Sequence, residues 1–115
     1  MAKTAASMKI KKFNLNNKSK QLRGAWLPID IETINNFVIM IAKFDGGYYW
    51  HKHDNEDELF LVLKGRIKIQ TKEKDILLAE GEGVKIPRGL EHCPVSIKPS
   101  IVLMFEPLNL KSKGD

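Results

Sequence analysis

The stretch "YYWHKHDNEDELFLVLKG", Tyr48 to Gly65, decides the reading of this chain. It holds two of the three histidines, one residue apart, and four acids within five positions, Asp54, Glu56, Asp57 and Glu58. An apolar run, "LFLVLK", follows at once. On a strand, side chains two positions apart share a face, with Cα atoms about 6.5–7 Å apart. His51 and His53 can therefore converge on one cation while Lys52 points away. Glu58 opens the next run, where Phe60 and Val62 share its face. A carboxylate is costly to bury in apolar company without a partner. A metal ion held by imidazoles is one such partner.

His92 is the remaining histidine and follows the tight turn "IPRGLE". Three imidazoles and a carboxylate suit Fe(II), Mn(II), Ni(II), Cu(II) or Zn(II). They do not suit calcium or magnesium, which take oxygen shells. Taken alone, the spacing leaves alternatives open. A His-x-His pair is as readily a surface pair, and parity does not choose among the four acids. Asp54, Glu56 and Asp57 also read as solvated loop charges.

Outward from this stretch the pattern is strand and turn. "NFVIMIAKF" (36–44) is β-branched and apolar, and Asp45-Gly46-Gly47 tolerates a tight turn. "YYWHKH" reads as a second strand, "DNED" as a loop and "ELFLVLK" as a third strand. "RIKIQT" alternates as a half-exposed strand does. "ILLA", "VKI", "HCPVSI" and "IVLMFE" supply the remaining short strands. Such spacing argues for an all-β sandwich or barrel. "MKIKKFNL" reads as an edge strand, and "SKQLRGAWLPIDIET" as a loop-rich wrap. No segment shows a capped helical period, so a helix-turn-helix module is excluded.

The bulk numbers agree with one domain of 115 residues, 43% hydrophobic and 29% charged. The net charge of +5 is local: residues 1–24 carry seven Lys or Arg and no acid. We read 1–24 as a partly ordered basic arm and 25–115 as a single barrel domain. A short Lys-rich terminus is commonly just solvated, so nucleic acid is not an expected partner. Cys93 is the only cysteine, which precludes an internal disulfide and fits a reducing, cytoplasmic setting. No apolar run is long enough to span a membrane, and no signal-peptide core is present. "MAKTAAS" reads as a leader before a native Met8.

The two motif regions together resemble the cupin superfamily, specifically the small single-domain cupins. The first motif of that family reads here as Gly46, "GYYW", His51, Lys52, His53, "DNED", Glu58, "LFLVLK", Gly65. The second reads as Gly81, "EGVKI", Pro87, Arg88, Gly89, "LE", His92, "CPV" and Ser96, where the family has Asn. The first glycine also lies one residue closer to His51 than is usual. The resemblance implies a jelly-roll β-barrel, or double-stranded β-helix. It implies that His51, His53, Glu58 and His92 ligate one divalent transition metal inside it, and so selects Glu58 among the acids.

Tyr49 shares the strand parity of His51 and is expected either to line the pocket, orienting substrate, or to pack in the core. Phe60, Val62 and Met104 are expected as barrel lining, Trp26, Trp50 and Cys93 as packing residues, and Lys85 and Arg88 as solvated charges. Leu59, Leu61 and Leu63 face away from the metal and need cover, from the N-terminal segment or a second subunit; a homodimer is expected. Two functions follow as expectations. One is a metal-dependent enzyme on a small organic molecule, of oxygenase or sugar-isomerase type. The other is a non-catalytic module that binds or senses a small ligand, with a structural metal.

Overall fold

Alternating side chains build most of the chain into one curled antiparallel sheet. The structure, a computed structural model, describes residues 10–115. The basic arm is therefore described only from Ile10, and the leader expected at 1–7 lies outside the described residues. Its elements are α1 (Leu15–Ser19), β1 (Ile29–Ile34), β2 (Phe37–Gly47), β3 (Glu58–Lys64), β4 (Ile67–Thr71), β5 (Asp75–Leu78), β6 (Gly83–Ile86) and β7 (His92–Pro107). The order β1-β2-β7-β3-β6 forms the main path, while β4 pairs with β5 and with β7. The all-β jelly-roll expectation holds.

The sheet curls because β7 serves two sets of neighbours. Its first part, His92–Val95, pairs with Thr71–Lys68 of β4. Its second part pairs with β2 on one side and β3 on the other. The inward face gathers Ala42, Phe44, Phe60, Val62, Ile67, Ile69, Val102 and Met104 into one buried core. Their strands alternate buried and exposed positions, as in β3 from Glu58 to Lys64.

Several local expectations are corrected. "YYWHKH" forms no second strand; it meets β7 through the Tyr48 N–H, which donates to the Pro94 carbonyl at 3.0 Å, and through an isolated bridge between His51 and His92. Asp45-Gly46-Gly47 makes no tight turn, because β2 runs on through Gly47, with a register shift against β7 between Phe44 and Gly46. "HCPVSI" and "IVLMFE" are one long strand, β7. Within "MKIKKFNL" the described residues hold no strand; Leu15 instead starts α1, capped by the Asn14 side chain, which accepts from Asn17 N. The "loop-rich wrap" contains β1, which pairs with β2.

Where β7 bends, Ser96 and Ser100 are fully buried. The Ser96 Oγ donates to the Lys98 carbonyl at 2.6 Å and lies 2.9 Å from Ser100 Oγ. Two hydroxyls thus join across the bend. Gly65 packs against this pair with φ of 92°. A Cβ there would lie 2.8 Å from Ser100 Cβ and 3.0 Å from its Cα. Gly65→Ala is expected to lose about 2–4 kcal/mol of stability, from left-handed strain plus overpacking. Urea unfolding checks this; a loss under about 0.5 kcal/mol would contradict it.

Candidate metal centre

Four side chains from three parts of the barrel meet at its centre. His51 and His53 lie on the irregular segment before β3, Glu58 opens β3, and His92 opens β7. The reciprocal backbone bonds of the His51–His92 bridge, N–H to carbonyl at 3.0 and 2.9 Å, lock two of them together. The Gly89 N–H donates to the His53 carbonyl at 2.8 Å and fixes the third. One nitrogen or oxygen atom from each of the four lies within 4.8 Å of the others, and all four residues are buried.

Ring tautomers follow from the backbone. His51 Nδ1 donates to the Tyr49 carbonyl at 2.7 Å, and His92 Nδ1 donates to the Leu90 carbonyl at 2.9 Å. A carbonyl only accepts, so each Nδ1 carries the proton and each Nε2 presents a lone pair. His53 Nε2 and His92 Nε2 stand 3.6 and 3.9 Å from Glu58 Oε1. These three atoms are buried and have no hydrogen-bond partner. Burial lowers the pKa of all three imidazoles, that of His92 to about 4. They are therefore neutral near pH 7, the form that ligates metal. This donor set suits a divalent transition ion.

The other acids of the opening stretch stay out of the cluster. Asp57 accepts from the Arg88 backbone N–H at 2.9 Å and pairs with its guanidinium, which ties the loop to the turn at Pro87. These bonds hold the Asp57 carboxyl below its usual pKa. Asp54 is exposed and lies 3.3 Å from Lys52 Nζ. Lys85 and Arg88 are exposed, as read.

A cavity of about 60 Å³ opens beside His51 and Glu58, walled by Trp26, Met40, Phe44, Phe60 and Met104. That is room for about two waters or a few heavy atoms of a ligand. Among the described residues no lysine or arginine lines it. Tyr49 does not line it either: the residue is 53% exposed, with Lys113 Nζ 4.7 Å from the ring centroid. The expectation for Tyr49 assumed a strand that is absent, so parity with His51 had no meaning there. Its neighbour Tyr48 lines the cavity instead and packs on Trp26 at 4.7 Å. Trp26, read as packing, is also part of the wall, with its Nε1–H donating to the Asp45 carbonyl. Trp50 is 45% exposed, not packed. Cys93 is buried and is not among the four.

Sequence reasoning missed Glu106. It ends the inward row Val102, Met104, Glu106 of β7, is buried, and borders the cavity. A lone acid on the inward parity of an apolar strand was the available signal.

The C-terminal segment crosses the outside of the centre. The Asp115 N–H donates to the Lys52 carbonyl at 3.0 Å, and the Asp54 N–H donates to the Asp115 side chain at 2.7 Å. Gly114 has φ of 89°, and a Cβ on it would lie 2.7 Å from both His51 Cβ and the Lys52 carbonyl oxygen. Gly114→Ala is expected to release this segment. Amide exchange at Asp54 then speeds at least about tenfold, while global stability falls by only about 1–2 kcal/mol. Unchanged exchange would contradict it.

A curled β-barrel that buries three imidazoles and one carboxylate in one wall is a small single-centre barrel fitted to a divalent metal ion. The cupin domain family model matches residues 38–106, more than half of the sequence. The chain belongs to the cupin family. It is 35% identical over 77 residues, 66% of this chain and 68% of the other, to the uncharacterized protein YdbB of Bacillus subtilis strain 168. A cupin-2 domain containing protein from Shewanella frigidimarina superposes with a TM-score of 0.80 at 30% identity, covering 90% of this chain and 99% of that one. Protein NMB1881 from Neisseria meningitidis shares the fold, with a TM-score of 0.77 at 22% identity over 84% of this chain and 99% of its own.

Proposed function

We propose that the protein is a mononuclear metal-dependent enzyme acting on a small organic molecule, of oxygenase or sugar-isomerase type. One observation carries this reading: three buried lone-pair atoms, His53 Nε2, His92 Nε2 and Glu58 Oε1, face one another with no donor between them. Lone pairs so placed repel unless a cation lies among them. His51, His53, Glu58 and His92 would hold the ion. An ion so held supplies Lewis acidity or, if it is redox-active iron or manganese, dioxygen chemistry. The chain's own contribution is orientation and dryness. The Tyr49 and Leu90 carbonyls hold two imidazoles in one tautomer. Trp26, Phe44, Phe60 and Met104 exclude water and accept apolar parts of a substrate. Among the described residues the wall holds no cationic side chain, which disfavours a phosphorylated sugar.

The test is turnover of the metal-loaded protein, followed by oxygen consumption and product analysis across small diols, thiols and unphosphorylated sugars. Turnover lost in His53→Ala supports the reading. A loaded protein that turns over no member of the panel overturns the enzymatic form of it. The second reading is a ligand-binding or sensing module with a structural metal. It is favoured by the small cavity and by the segment at Asp115 that crosses beside His51.

The functional unit in this proposal is a homodimer. On the outward sheet face α1 lies against β2, near Ile41 and Leu63. Further along, Phe37 and Leu59 are 40% and 37% exposed and no described segment covers them. Phe105 stacks on Phe37 at 5.3 Å and pairs with Leu59, so the patch is continuous across three strands. An apolar patch of this kind, rimmed by the exposed Lys85 opposite Leu59, suits a second copy. Light scattering at micromolar concentration is expected to give twice the chain mass of 13.1 kDa; a monomer would contradict it. Among the described residues no helix is long and apolar enough to cross a membrane.

A further inference from the structure

One border of the cavity comes from no strand. Pro107 ends β7, and the chain turns at Leu110, whose N–H donates to the Pro107 carbonyl at 3.2 Å. It then returns toward the metal ligands. Ser112 on this return joins the cavity wall beside His51. Gly114 lies against the ligand segment so closely that only a glycine fits: an added Cβ would sit 2.7 Å from His51 Cβ. Among the described residues, the polar holds of Leu110–Asp115 on the barrel fall on one stretch. The Asp115 N–H donates to the Lys52 carbonyl at 3.0 Å, and its carboxylate accepts from the Asp54 N–H at 2.7 Å. Lys113 Nζ lies 4.7 Å from the centre of the Tyr49 ring. Lys52 stands between His51 and His53, so the clasp is on the backbone that carries two ligands. Yet no residue from Leu108 to Asp115 is buried. A segment with no buried side chain and few, exposed bonds opens far more readily than the barrel unfolds.

We propose that Leu110–Asp115 is a gate at the mouth of the metal cavity, which opens when Asp115 leaves Lys52 and Asp54. It rests on the metal reading above for what passes through, and on the contacts of Ser112, Gly114 and Asp115 for the opening itself. Segments that close over a site in this way control entry and exit. A gate has a signature that a mere support lacks. Releasing it speeds passage in both directions alike and leaves equilibrium affinity unchanged. Releasing a support for His51 and His53 speeds loss of the ion and weakens its binding.

The test uses the full chain and two releasing variants, G114A and D115A. D115N, whose amide oxygen still accepts from the Asp54 N–H, is the conservative control. Cobalt(II) uptake by metal-free protein, and its removal by excess chelator, are timed by the visible spectrum. Both rates are expected to rise about tenfold in G114A and D115A and to stay within about threefold of wild type in D115N, with the Kd within about threefold throughout. A second measurement needs no metal. Ala42→Cys places a thiol in the cavity wall, and the buried Cys93, which does not line the cavity, is the internal reference. Labelling of the introduced thiol by methyl methanethiosulfonate is expected to quicken about tenfold in the releasing variants, while labelling of Cys93 does not. Met104→Cys serves if Ala42→Cys does not fold. Unchanged rates in both measurements would overturn the proposal. Faster removal without faster uptake would also overturn it, making the segment a support. Equal quickening at Cys93 would do the same, by showing general loosening. Wild-type protein that takes up no cobalt overturns the metal reading, and thiol labelling alone then decides the gate.

Discussion

His92→Ala is expected to bind a divalent transition metal on the order of 100- to 1,000-fold more weakly than the wild type. The estimate divides the total free energy of a four-ligand site, about 10–16 kcal/mol for structural zinc, among its ligands. His92 is the strongest choice for removal because its side chain is fully buried and its Nδ1 is already committed to the Leu90 carbonyl. The cavity left behind costs stability as well, but the two effects separate. Metal-free His92→Ala is expected to unfold about 1–3 kcal/mol below the metal-free wild type, from lost packing. The wild type gains further stability as metal is added above its Kd, while the variant gains little over the same range. Parallel gains in both proteins would show that His92 is no ligand.

The metal-free protein is expected to be most stable near neutral pH and to weaken on both sides. Burial, above all, lowers the folded pKa of His51, His53 and His92. The unfolded chain therefore takes up protons that the folded chain refuses as pH falls through about 6.5, and stability falls with it. Burial likewise raises the pKa of Glu106 and Glu58, with the Glu58 carboxylate adding to the shift at Glu106. Here the sign is opposite. The folded state keeps a proton that the unfolded chain releases above about 4.5, so this contribution shrinks as pH rises. Between about 4.5 and 6.5 the three imidazoles outweigh the retained carboxyl proton; above about 7 only the carboxyls act. Each retained proton costs about 1.4 kcal/mol per pH unit while it is held. Glu106→Gln removes that proton. It is expected to flatten most of the alkaline limb and to exceed the wild type by about 1–3 kcal/mol at pH 8.5. Urea unfolding of chelated protein from pH 5 to 9 checks this. An undiminished alkaline limb in the variant would contradict it.

The legible parts of this molecule were those that short-range rules decide. The apolar run "ELFLVLK" foretold β3 and the alternation of "RIKIQT" foretold β4, and Phe60, Val62 and Met104 line the barrel as expected. The two spaced motifs named His51, His53, Glu58 and His92, which the structure brings within 4.8 Å. Parity failed where the strand itself failed. From Tyr48 to Trp50 the chain leaves the ladder, and so Tyr48, not Tyr49, lines the cavity. The strand β1 hid in a polar segment because "IDIETI" pairs along only one edge and buries only Ile31. Glu106 escaped because its meaning is a long-range one. Only the pairing of β7 between β2 and β3 buries it.

The most direct test of a metal centre in this barrel is metal content together with the response to chelation. Protein expressed with mixed divalent metals and purified without chelator is expected to carry about one transition metal per chain. His53→Ala and Glu58→Ala are expected to carry far less, and exhaustive chelation should lower the wild-type melting temperature by several degrees. Preparations with no stoichiometric metal, and a melting temperature that chelation leaves unchanged, would contradict the account.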